Sequence, residues 1–159
     1  MSTTSRLNHA FENALELPLG TGTKYVLISD CHRGVGTSSD NFLKNQHLYF
    51  AALKHYYQAG FSYIELGDGD ELWENRNMEA IIEVHSNIFW MFSLFYKENR
   101  LYMLYGNHDI IKKKKNYSQK KCCTYFCTET QKPQPLFPEL TFHESIILRS
   151  LKSPDKALY

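Results

Sequence analysis

The chain has 159 residues, 43% of them apolar, and a formal net charge of +1 at pH 7. Length and apolar share suit a single domain over 1–159 with a real core, and exclude a disordered composition. The near-zero charge gives no global electrostatic case for a nucleic-acid or membrane surface, and no run of about 18 apolar residues offers a transmembrane segment. The N-terminus, Met1 to Arg6, lacks an apolar signal core. The four cysteines, Cys31, Cys122, Cys123 and Cys127, then read as reduced thiols of a cytoplasmic protein.

In chain order, residues 1–23 form a polar lead-in, with a short helix expected from Asn8 to Leu17 and breakers at Gly20 and Gly22. Lys24 to Ser29 is a first strand, β-branched and aromatic, with an abrupt polar stop. The loop 31–41 is rich in Gly, Ser, Thr and Asp. Asp40 or Asn41 is placed to cap a helix running to about Gln58, with Gly60 to end it. Phe61 to Leu66 is a second strand, and the strand–helix–strand length fits a crossover between parallel neighbours. A second helix is predicted over 76–97, from the wide apolar face of Ile81, Ile82, Ile88, Phe92 and Phe95. Leu101 to Tyr105 is a third strand, and Leu140 to Leu148 a fourth. Pro133, Pro135 and Pro138 mark 131–138 as a loop, and Arg149 to Tyr159 shows no pattern that completes a fold.

Three of these strands end in polar clusters. The first runs into Asp30-Cys31-His32, the second into Gly67-Asp68-Gly69-Asp70-Glu71, and the third into Gly106-Asn107-His108-Asp109. As parallel neighbours they would bring all three clusters to one sheet edge, where α/β folds place ligands. Carboxylates so crowded repel each other unless a cation sits among them. In extended backbone Asp30 and His32 would point to one side and could hold one divalent metal. Asp68 has two oxygens and can bridge two cations, and Gly67 and Gly69 let the chain pass close by. Asn107 offers a neutral amide oxygen. His108 can act on a leaving oxygen as cation or acid, and Asp109 can orient His108 or a nearby backbone group. The bland alternative is three surface turns, because Gly, Asp and Asn are turn residues.

These motifs resemble the calcineurin-like metallophosphoesterases, whose pattern is Asp-x-His, Gly-Asp-x-x-Asp/Glu, then Gly-Asn-His-Asp/Glu. The resemblance covers roughly 24–110, and the string Ser29 to Gly34 is similar to the UDP-diacylglucosamine hydrolase-like bacterial branch. It implies a layered α-β-β-α sandwich and a centre of two divalent metal ions (Mn, Fe or Zn) that activates water for in-line attack on a phosphate ester. It assigns Asp30 and His32 to the first metal, Asp68 to both and Asn107 to the second. It makes His108 the group that stabilises the transition state or protonates the leaving group, and puts Glu71 in the supporting shell. The substrate would be a phosphorylated small molecule or nucleotide. Whether the bond is a monoester, diester or pyrophosphate stays open.

The family's later Gly-His-x-His is missing, and after His108 the only histidine is His143, expected to be structural. The second sheet is therefore expected to be largely missing, as in a truncated member. The rival reading is a catalytically impaired remnant that binds metal or a partner. A nucleic-acid module built on Lys112 to Lys115 is the third, although such a run is usually a solvated face. Arg33 could grip a substrate phosphate, an exposed loop arginine being the equal alternative. Cys31 should point away from the metals, the other cysteines should be buried thiols, and Trp73 and Trp90 should pack.

Overall fold

The structure is a computed structural model that describes residues 2–38, 40–153 and 155–158. It is a mixed α/β protein. A four-stranded sheet, wholly parallel, has the order β2 (Tyr25–Ile28), β3 (Ser62–Leu66), β4 (Leu101–Leu104) and β7 (Phe142–His143). The three strands expected to be parallel neighbours are so. Register pairs Ile28 with Glu65 and Leu66 with Leu104, so their C-terminal ends align.

Alternation along the strands sorts two cores. Tyr63, Leu101 and Met103 face the helices α2 (Gln46–Gln58), α3 (Met78–Val84) and α4 (Ser86–Lys97), whose Leu53, Ile81, Phe92 and Phe95 are wholly buried. Ile64 and Leu104 point the other way and meet Leu17, Ile146 and Leu148. These last belong to a second sheet of order β1 (Leu15–Leu19), β8 (Ile146–Ser150), β9 (Ala157–Leu158). The layers are helix, sheet, sheet.

Several expectations are corrected. The first helix, α1, is Thr3–Glu12, capped by Ser2, and Leu15–Leu19 is an edge strand parallel to β8. Pro18 is tolerated there because an edge strand can spare its missing N–H. The second sheet is thus present in three strands, and residues 157–158 of the supposedly patternless tail pair with β8. Pro154 and Tyr159 of that tail lie outside the described residues. The single strand 140–148 is two: β7 joins the first sheet and β8 the second. The supposed loop 131–138 contains β6 (Lys132–Pro135), the return strand of a hairpin with β5 (Thr124–Cys127).

The helix predicted over 76–97 is broken at His85, whose buried ring reaches Asp40 at 2.9 Å and Gln46 at 3.1 Å. Asp40 also accepts from the backbone N–H groups of Phe42 and Leu43, opening the short turn that leads into α2. At the other end Gly60, at φ +78°, closes α2 with paired return bonds, Gly60 N–H to Tyr57 and Phe61 N–H to Tyr56. Among the described residues no helix is long and apolar enough to cross a membrane.

Candidate metal centre

The loops after β2 and β3 continue as a backbone ladder beyond the sheet. His32 N–H donates to the Asp68 carbonyl, Arg33 N–H to Gly69, and Glu71 N–H to Arg33, each at 2.9 Å. The third loop is locked to the second by carboxylates. Asp68 accepts from His108 N–H at 2.7 Å, and Asp109 accepts from the N–H groups of Gly106 at 2.7 Å and Asp68 at 3.3 Å. Asp109 thus orients backbone, one of the two roles expected of it.

This brings most of the predicted residues together. The ligand atoms of Asp30, His32 and Asp68 all lie within 4.8 Å of one another, and so do those of His32, Glu71 and His108. First-row metals take nitrogen and oxygen donors at about 2.0–2.2 Å, so donors to one ion lie within roughly 4.4 Å. The first group needs only a small side-chain adjustment to meet that. Asn107 stands exposed on the third turn, lining an adjoining cleft with His108 and Trp73. His143 lies in β7, opposite Leu104.

The expected extended geometry of Asp30 and His32 is corrected. Both adopt the left-handed conformation, φ +55° and +49°, and Asp68 does so at +50°. Their side chains still converge, Asp30 Oδ1 lying 3.9 Å from His32 Nε2. Three non-glycine residues held at positive φ in one cluster is costly backbone, of the kind that gathers at functional sites. The glycines are there for space. A Cβ on Gly106 would lie 2.3 Å from Asp68 Oδ1, and one on Gly67, itself at φ +100°, 2.8 Å from the Gly106 nitrogen.

Glu71 sits beneath the histidines. It meets His32 Nδ1 at 3.0 Å and His108 Nδ1 at 2.8 Å, and the two rings are edge-to-face at 4.5 Å. Burial opposes its charge, yet the bonds from His108 and His32 hold its carboxyl below the usual range. The same bond raises the His108 pKa, favouring imidazolium. With Nδ1 turned to Glu71, His32 presents Nε2 to Asp30, the arrangement in which a carboxylate fixes the tautomer of a metal-binding histidine.

Arg33 overturns its reading as a substrate grip. It is wholly buried, donating to both oxygens of Glu65 at 2.8 Å and to Asp70 at 2.7 Å, among the rings of Phe42, Phe89 and Phe92. Lys112 is likewise no solvated lysine. It is 2% exposed and bonds Asp70 at 2.7 Å and Asp109 at 2.5 Å. Each loop therefore turns one residue up to the edge and its neighbour down into a buried ionic network: His32 over Arg33, Glu71 over Asp70, His108 over Asp109. Only the alternation of charged types hinted at it.

Cys31 points away from the edge as expected, and burial pushes its thiol up to about 11. Cys122 is buried, but Cys123 is exposed and Cys127 half-buried. Trp73 and Trp90 do not pack inside; they are 63% and 40% exposed, and Trp73 stands 5.2 Å from the His108 ring. Comparison with protein families, with curated proteins and with solved structures gives no match for this chain. What is defined is an α/β protein with a carboxylate–histidine cluster at the C-terminal edge of a parallel sheet.

Proposed function

We propose that this chain is a metal-dependent phosphoesterase of the calcineurin-like kind. The observation that carries the reading is the convergence of Asp30, His32 and Asp68 from two adjacent strand ends, on backbone held at positive φ. These three would hold a first divalent ion, and Asp68 with Asn107 a second. When bound, such ions polarise phosphoryl oxygens and supply a water able to attack phosphorus near neutral pH. Glu71 fixes the tautomer of His32 and sustains the charge of His108. His108 then holds its transferable proton at Nε2, for the leaving oxygen.

The test is hydrolysis of bis(p-nitrophenyl) phosphate with Mn²⁺, beside Asp68→Ala. Metal-dependent turnover that the substitution abolishes is expected, and turnover surviving in Asp68→Ala overturns the reading. A second reading is a metal-binding domain without catalysis, favoured by the few donors near the second position. It predicts that Co²⁺ binds, with an absorption spectrum lost in Asp68→Ala, while no ester is cleaved.

A further inference from the structure

A cavity of about 320 Å³ opens between α2, the start of α4 and the β5–β6 hairpin, and shares no residue with the metal edge. Its walls carry four aromatic rings, Phe50, Trp90, Tyr125 and Phe126. Its one ionisable carboxylate is Glu129, and no basic side chain lines it. Phe50 and Trp90 are nearly parallel, 22° apart in plane with centroids at 6.2 Å. Trp90 and Phe126 are 40% and 48% exposed, so these two rings offer free surface, while Tyr125 is buried in the core and Phe50 packs against it. Glu129 is exposed and joins no ion pair among the described residues.

Aromatic faces carry negative quadrupole charge, and a cation over them is attracted. A methylated ammonium suits such a site, because its charge is spread over methyl groups that hold water weakly. A carboxylate at the rim adds a full negative charge. We propose that this cavity binds a methylated organic ammonium group, its methyls against the Phe50 and Trp90 pair and its charge balanced by Glu129. Anionic ligands are disfavoured there. A purely apolar ligand would use the rings but gain nothing from Glu129.

The test follows Trp90 emission in the full chain carrying Trp73→Phe, which leaves Trp90 as the one tryptophan of the original two. The probes are choline and its neutral isostere 3,3-dimethylbutan-1-ol. Choline should change the emission saturably, and the isostere should bind roughly tenfold more weakly, the scale of a partly desolvated cation–π contact. Glu129→Gln, at an exposed position and so safe for folding, should weaken choline severalfold and leave the isostere unchanged. Equal binding of the two probes, indifference of choline to Glu129→Gln, or no saturable change would each overturn the proposal.

Discussion

Arg33 and Glu65 meet through two parallel hydrogen bonds, both 2.8 Å, with neither side chain reaching solvent. This bidentate pair is the keel of the candidate site. It fixes the residue after His32 to the strand that leads to Asp68, and Asp70 and Lys112 extend it under the other loops. Breaking a buried pair leaves an uncompensated charge, which typically costs about 3–5 kcal/mol. Glu65→Leu is therefore expected to lose about that much stability in urea unfolding, and the double variant Glu65→Leu/Arg33→Met to recover part of it. Additive losses would show that the two charges are not coupled.

Two glycines beside this network separate stability from metal binding. A Cβ on Gly69 would lie 2.0 Å from Glu65 Oε1 and 2.6 Å from an Arg33 nitrogen, so Gly69→Ala strikes the keel. It should cost about 1–3 kcal/mol, the range for overpacking. Gly106→Ala instead presses on the Asp68 carboxylate. It should weaken Mn²⁺ binding at least tenfold by calorimetry, with a smaller loss of stability than Gly69→Ala. The reverse ranking would refute the assignment of Asp68 as a ligand.

The parallel sheet and its functional edge were legible because strands Tyr25–Ile28, Ser62–Leu66 and Leu101–Leu104 are local apolar runs that stop on Gly, Asp and Asn. Contacts between distant parts of the chain were not. Leu15, Leu17 and Leu19 alternate with period two, but the run is short, carries Pro18 and directly follows a helix, and its partner, residues 146–150, lies far along the chain. Arg33 and Lys112 sit in polar surroundings in the sequence, and their burial depends on Glu65 and Asp70. The break at His85 needs Asp40, which arrives from the loop before α2. Asp30 and His32 sit on a backbone ladder to Gly67 and Asp68, which no local pattern encodes.

Two buried groups make opposite-looking but same-signed contributions to the acid response, beside those of Glu71 and Asp40. Burial lowers the His85 pKa, and Asp40 offsets this only in part. His85 thus stays neutral in the fold, while the unfolded chain protonates it below its ordinary 6.5. Its contribution is fully present above that pH and is lost as pH falls. For Asp70, burial alone would raise the pKa, but Arg33 and Lys112 overcome it and hold the carboxyl at about 2 against an ordinary 3.8. That contribution, about 2 kcal/mol, is fully present above 3.8 and is lost as pH falls through 2. Urea unfolding across pH 8 to 2 should show stability declining in these two stages. Asp70→Asn should shrink the lower one, leaving the share of Glu71 and Asp40, and an unchanged acid limb in that variant would contradict the pairing.

The left-handed backbone at Asp30 gives the sharpest separation of function from stability. A non-glycine residue at φ +55° carries a steric cost that glycine avoids, of order 1 kcal/mol. The Asp30 side chain is exposed, and its contacts are with Ser29 and His32. Asp30→Ala removes the carboxylate and keeps the strain, whereas Asp30→Gly removes both. In chelator, Asp30→Gly is expected to be about 1 kcal/mol more stable than Asp30→Ala, and both should bind Mn²⁺ at least tenfold more weakly than the parent chain. Saturating metal should then raise the melting temperature of the parent and leave both variants nearly unmoved, since only a ligand that binds the folded state shifts it. Equal metal stabilisation of all three proteins would remove Asp30 from the site, while equal chelator stability of Gly and Ala would mean the loop relaxes out of its left-handed turn once the carboxylate is gone.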